Sequence, residues 1–386
     1  MSLKLKVATG LYTNWDSLVK VDDALLRWVK NSKKSKPKGT ILDSKAEVIY
    51  VLNEALKEGG REFLISEKLY VKLNSLFSER EKRLGGNGYH MGKALYELGQ
   101  VPLVSYPCRP PKLMKASPNF KIACKDGFRS PTNAIRDEDP EYDHIVFEFE
   151  ENQSKGINVT SRLILSWDLM SFEGKFDHDF LKYASNSEFT DVLTLGYAHL
   201  LLPKFKKRTD EVIDYLRSSR RPKVHLEFGQ GSEESMRYAM NKFADYNCAD
   251  SWGLNEKECV NYLNAKSEKL EDLKEAAVDA IKKYGIERIC VHAPFFSFSI
   301  SRYGAKKEVK ALIEGGLVAS AFTLGKDIKR NLKYAKKLPR YKIKKRTENI
   351  DNYRFCLVPN LINMKPKILT GLGDVFAAAQ AVEALS

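Results

Sequence analysis

A doubly wound α/β fold with a mostly parallel sheet, joined by a smaller β-rich domain, is what this sequence predicts, and three observations predict it. After Asp191 short apolar runs alternate with longer helical patterns, the signature of β and α units that build a parallel sheet. Between Ser105 and Asp168 the texture changes to proline and short β-type runs. The composition, 43% hydrophobic against 30% charged over 386 residues, is globular and leaves room for roughly two or three domains.

Along the chain, the Leu3, Leu5, Val7 alternation predicts a first strand, followed by Asn14-Trp15-Asp16 and an exposed loop over Asn31 to Gly39 rich in lysine, serine and proline. From Ser44 to Leu76 the apolar spacing is mostly helical. Gly85-Gly86-Asn87-Gly88 interrupts it just before another helical stretch, Tyr89 to Leu98. His144 to Phe149 and Arg162 to Ser166 read as strands joined by the polar, glycine-containing connection Glu150 to Gly156. Then come strand Asp191 to Leu195, a helix near Asp210 to Arg217, strand Val224 to Phe228, a helix near Glu233 to Phe243, a helix within Ser267 to Tyr284, and strand Arg288 to His292. Leu270, Leu273, Ala277, Ile281 and Tyr284 share one helical face, and Gly285 is placed to end that helix.

Composition also narrows the function. The net charge of +14 favours anionic partners. The basic clusters Pro203 to Arg208, Arg217 to Lys223 and Lys336 to Arg346 fall at helix ends or connections without any binding-motif spacing, so they read as solvated surface rather than a nucleic-acid footprint. Six scattered cysteines with no C-x-x-C pair fit reduced thiols, and no apolar run approaches the ~20 residues of a membrane span. The expectation is a cytoplasmic protein that binds neither nucleic acid nor membrane, of open oligomeric state.

The chemistry concentrates near the C-terminus. Thr370-Gly371-Leu372-Gly373-Asp374 is followed at once by an alanine-rich helix former. Glycines at a helix N-terminus leave amides free to face an anion, which the helix dipole also favours. Asp374 beside that hole can take a proton from an attacking hydroxyl while the amides hold phosphoryl charge. The same four residues also occur as an ordinary turn with a helix cap. His225-Leu226-Glu227 ends a strand, Asn255-Glu256-Lys257-Glu258 opens a helix, and Asn14-Trp15-Asp16 follows the first strand. In a doubly wound sheet such strand ends converge on one crevice.

Taken in order with Gly85 to Leu98, His144 to Phe149, Arg162-Leu163-Ile164, Asp191 to Tyr197, Val224 to Phe228, Asp250 to Glu258 and Val291-His292, these pieces resemble the ADP-dependent sugar kinases, the glucokinase and phosphofructokinase family of the ribokinase superfamily. The resemblance spans nearly the whole chain. It implies a ribokinase-like nucleotide-binding domain over 1–12, 45–104 and 170–386, a discontinuous lid over 13–44 and 105–169, ADP as phosphoryl donor, and Mg²⁺. It also implies Asp374 as catalytic base, Gly371, Leu372 and Gly373 as anion hole, and Glu227, Asn255 and Glu258 at the metal and phosphates, acting through bound water. Asn14, Asp16, Gly85, Gly86 and Asn87 match the sugar-binding region.

Arg162 is a candidate phosphate contact because a guanidinium can fork onto two oxygens. Arg109 and Lys155, in the expected lid, add cations that lean the acceptor towards a phosphorylated sugar over free glucose. His292 matches a family position after a strand, with a hydrogen-bonded core histidine as the plainer reading. The activity expected is transfer of a phosphoryl group from ADP to a sugar or sugar-phosphate hydroxyl. A non-catalytic nucleotide or sugar sensor of the same fold, or a kinase with another donor or acceptor, is the alternative.

Overall fold

The computed structural model describes residues 5–78, 80–167, 172, 175–197, 203–218, 220–325, 327–364, 366–368 and 370–386. Leu3 of the expected first strand and the expected boundary between 169 and 170 lie outside the described residues. The chain forms two compact units, one of Met1–Thr13, Asn87–Asp137 and Phe176–Ser386, the other of Asn14–Gly86 and Glu138–Lys175.

In the larger unit nine strands form one sheet in the order Arg346–Ile350, Tyr353–Pro359, Phe296–Ser301, Arg288–His292, Ser251–Asn255, Lys223–Phe228, Val192–Tyr197, Val7–Gly10 and Leu103–Val104. The last six of these run parallel; the first three join antiparallel. The central strands are buried on both faces, which is why their sequences are nearly continuous apolar runs. Helices Phe205–Leu216, Glu233–Asp245 and Leu270–Tyr284 bring Val212, Met236, Met240, Leu273 and Ala277 into one core. Helices Asn87–Glu97, Ala305–Thr323 and Leu372–Leu385 pack through a second cluster that holds Ala94, Leu312, Phe322, Val375 and Phe376. Gly285 ends its helix in the left-handed conformation, as the sequence predicts. The fold is the doubly wound α/β class with a mostly parallel sheet, as the sequence predicts.

Strand register places a polar row inside this sheet: His225 lies opposite Ser251, Ser251 opposite Arg288, and Arg288 opposite Ser301. All four are fully buried.

The smaller unit is a six-stranded sheet in the order Ile41–Leu42, Glu62–Ile65, Ser161–Ser166, Asp143–Phe149, Asn14–Lys20 and Glu81–Gly85. Helices Asp23–Asn31, Lys45–Glu58 and Glu67–Leu76 bury Val29, Val48, Leu52, Leu69 and Leu73 with Ile145, Phe147, Leu163 and Leu165 on one sheet face. Because side chains alternate along a strand, Asn14, Asp16, His144, Glu148 and Arg162 belong to the other face.

Two segments sit differently from the sequence expectation. Residues 45–86, expected with the α/β domain, belong to the smaller unit, and the helical stretch from Ser44 is broken by strand Glu62–Ile65, which pairs with Ser161–Ser166. Residues 105–137, expected in the lid, belong to the larger unit. There the Ser105 amide bonds Thr9 O (3.0 Å), and Arg109 forms a buried pair with Asp177 (2.9 Å). Apolar periodicity shows that a segment is helical or extended; the core that it packs into is set by partners distant in sequence.

Candidate active site

In the larger unit the strand ends carry the expected acids. His225 and Glu227, two apart on one strand, face the same side. Glu227 accepts from His292 Nε2 through Oε1 (2.7 Å) and from His225 Nε2 through Oε2 (3.3 Å). Behind His225 the bonds continue: its Nδ1 meets Ser251 Oγ (2.9 Å), Ser251 Oγ accepts from Arg288 Nη1 (3.0 Å), and Arg288 Nε donates to Glu308 (2.9 Å). With the Ser251 hydroxyl proton on Nδ1, the Nε2–H of His225 is left for Glu227.

This chain sets the charges. Burial alone would raise the Glu227 carboxyl, but the charge of His292 and the bonds from both imidazoles outweigh it and hold it below the usual range. Burial acts against a charge on His292, yet Glu227, helped by Glu258 and Glu256, pushes it up to about 9. His292 is therefore the counter-ion of Glu227 rather than a self-contained core histidine.

Asn255 and Glu258 form a reciprocal capping box at the start of helix Glu256–Tyr262: Asn255 Oδ1 accepts from the Glu258 amide and Glu258 Oε2 from the Asn255 amide, both at 2.9 Å. The plain structural role of this motif is thus real. It also aims the buried Glu258 carboxyl, which burial and then the charge of Glu227 push up to about 8.

Helix Leu372–Leu385 starts beside this cluster, and its N-cap residue, Gly371, has no side chain to cap the first turn. His292 Cε1 lies 3.3 Å from where a Cβ of Gly373 would stand, and its ring packs on Phe376 (centroids 5.3 Å apart). Gly373, and with it the helix start of Gly371, Leu372 and Asp374, therefore lies beside His292, the partner of Glu227. Asn87, at the start of its helix, commits its amide to the backbone: Oδ1 accepts from the Tyr12 amide and Nδ2 donates to Gly196 O, both at 3.0 Å.

On the smaller unit Asn14 Nδ2 donates to Asp16 Oδ1 (3.0 Å) and lies 3.2 Å from His144 Nδ1. Asp16 is buried, and burial raises its carboxyl against the pull of His144 and Arg83. Gly85 lies directly against the Asp16 carboxylate, where any side chain would overlap it, and Gly86 follows at the end of the unit. Arg162 opposes Glu148 in the strand register, and Glu148 takes an ion pair from Arg83. Sequence reasoning missed His144 and Arg83, although alternation along their strands puts both on the Asp16 face.

Two cations offered for an acceptor phosphate stand elsewhere. Arg109 is only 1% exposed and spends its guanidinium on Asp177 (2.9 Å), Ala123 O (2.8 Å) and Tyr106 O (3.1 Å) within the larger unit. Lys155 makes an exposed pair with Asp23 (2.7 Å) at the start of helix Asp23–Asn31 in the smaller unit. Neither remains a candidate contact: the buried bonds use up the Arg109 guanidinium, and Asp23 holds Lys155 beside helix Asp23–Asn31, which packs on the sheet face opposite to Asn14 and Asp16.

A parallel α/β sheet whose strand ends gather acids beside an uncapped, glycine-rich helix start has the layout of a phosphoryl-transfer enzyme. Residues 5–383 match the conserved region of ADP-specific phosphofructokinase/glucokinase, and the chain belongs to that family of ADP-dependent sugar kinases. No curated protein sequence matches it. Its structure is similar to a hypothetical ADP-dependent phosphofructokinase from Pyrococcus horikoshii OT3, with a TM-score of 0.75, 17% identity, and 99% of this chain and 98% of that one covered. It is also similar to an ADP-dependent kinase in complex with fructose 6-phosphate and ADPβS, with a TM-score of 0.80, 16% identity, and 99% and 94% covered. At such identities the likeness carries the fold.

Proposed function

We propose that this chain transfers the β-phosphoryl group of ADP to a hydroxyl of a phosphorylated sugar, with AMP as the leaving group and Asp374 as general base. The observation that carries this reading is the junction of the uncapped Gly371–Asp374 helix start with the buried Glu227, Glu258 and His292 cluster. Asp374 accepts the acceptor's proton as its oxygen attacks, and the amides of the first turn hold charge on the transferred group. Hydroxyl binding is assigned to Asn14 and Asp16, set against Gly85 and Gly86, and the acceptor phosphate to Arg162. Asn87 contributes by holding backbone in place. A cytoplasmic location goes with this reading.

The residues present also fit a magnesium ion. Burial first, and the neighbouring charge of Glu227 second, push the Glu258 carboxyl up to about 8, so without a cation that buried acid keeps its proton. Among the described residues no three His, Cys, Asp or Glu are grouped to grip a metal directly, so Glu227, Glu258 and the Asn255 cap would hold an ion through its water shell. When bound, that ion offsets the charge of the donor phosphates.

The test is a matrix of fructose 6-phosphate, other sugar phosphates and glucose, each with ADP and ATP. The expected outcome is a highest kcat/KM with a sugar phosphate and ADP. A glucose value above every sugar phosphate overturns the acceptor assignment, and turnover only with ATP overturns the donor. Nucleotide binding without turnover on any acceptor selects the sensor.

A further inference from the structure

The structure brings one residue to the anion hole that the reaction chemistry does not use. Gly371 adopts φ 82°, ψ 9°, the left-handed conformation, and turns the chain into helix Leu372–Leu385. Directly behind it lies His90, 4% exposed, on helix Asn87–Glu97. A Cβ on Gly371 would overlap the imidazole at Cγ, Cδ2 and Nδ1. The ring is itself held edge-on by Phe322 (centroids 5.8 Å apart, planes at 73°) and Tyr89 (5.5 Å, 65°), two residues of different helices. His90 is thus a fixed flat plate pressed on the turn that aims the first-turn amides.

We infer that His90 is a positioning residue: its ring, by shape, holds the left-handed turn at Gly371 and so the direction of the Leu372 to Asp374 amides. This rests on the reading of those amides as the anion hole. Glycine is required at 371 for two separable reasons, since a side chain would suffer both the positive φ and the collision with the ring. The contact is made by the near half of the imidazole. Phenylalanine reproduces that half, whereas alanine removes it and leucine replaces a plate with a branch.

The experiment combines steady-state kinetics with amide hydrogen exchange of the 371–375 segment in the ligand-free protein. His90→Ala is expected to lower kcat about tenfold with both KM values within about threefold, and to speed exchange of the segment about tenfold, as a loosened turn opens more often. His90→Phe is expected to restore both readouts to within about threefold of wild type. His90→Leu, which leaves no cavity, is expected to behave like His90→Ala and serves if that variant folds poorly. Gly371→Ala is expected to lose about 100-fold in kcat, and adding His90→Ala to regain about tenfold of it, because the collision is relieved while the φ strain stays.

Unchanged kcat and exchange in both His90→Ala and His90→Leu overturn the inference. A His90→Phe variant as impaired as His90→Ala also overturns it, since the ring nitrogens would then be what matters. Exchange needs no substrate: a wild type inactive on every acceptor sinks the proposed function, while the exchange rates still decide the role of His90.

Discussion

The strand-end cluster of the larger unit and the Asp16 face of the smaller one hold their charged groups in different ways. In the larger one Glu308, Arg288, Ser251, His225, Glu227 and His292 form a single run of hydrogen bonds, in which only His292 is more than a tenth exposed. In the smaller one the Asp16 face is a set of shorter pairings, and its ion pair, Arg83 with Glu148, is half-buried at 14% and 16%. A fully buried run cannot move one member without stranding the next, whereas a partly exposed pair can trade its partner for water or a ligand. Under the proposed function, such a difference would pair fixed phosphoryl chemistry on one unit with an adaptable acceptor face on the other.

The sharpest way to break that comparison is Asp374→Asn. The amide fits the site but takes no proton, so kcat should fall by about 10²–10⁴-fold while ADP affinity by calorimetry stays within about threefold. A variant retaining more than about a tenth of the wild-type rate removes Asp374 as base.

Next in size is a pair of stability measurements. Glu308→Gln leaves the fully buried Arg288 without its counter-charge and should cost about 3–5 kcal/mol in denaturant unfolding. Glu148→Gln, at the half-buried pair of the smaller unit, should cost about 1 kcal/mol or less. Equal costs would erase the contrast between the units.

A smaller effect separates the assigned roles. Asp16→Asn should raise the acceptor KM about tenfold and leave the Mg²⁺ requirement alone, because one charged acceptor of hydroxyls becomes a neutral one. Glu258→Gln should raise the Mg²⁺ concentration for half-maximal rate a few-fold and leave the acceptor KM alone. The opposite pattern, in magnesium titrations at fixed acceptor, would exchange the roles of the two units.

The smallest effect is one of pH. On the helix side of the smaller sheet burial would raise the Asp143 carboxyl, but Ser17, Tyr70, Arg80 and Lys82 outweigh it and hold it below the usual carboxylate range. A depressed folded value means stability that is present above the unfolded value and is lost as pH falls through the folded one. Unfolding free energy should therefore decline below about pH 4, and less steeply in Asp143→Asn. Identical acid slopes would show that Asp143 is not coupled to folding.

Much of this was legible in the chain itself. The alternation after Asp191 determined the parallel sheet, because a strand buried on both faces must be apolar throughout and each crossover needs a helix. The glycine-rich run before an alanine-rich helix determined the uncapped N-terminus at Gly371, and Asn255-x-x-Glu258 its capping box, because both are local backbone chemistry within one turn. The tertiary structure alone decided which core took residues 45–86 and 105–137, which removed Arg109 and Lys155 from the acceptor, and which set His144 and Arg83 beside Asp16. It alone joined Arg288 and Ser251 to Glu227, and His90 to Gly371. Each of these depends on strand register or helix packing between segments far apart in sequence, and a register is chosen by the sum of all side chains along two strands, a quantity no single motif carries.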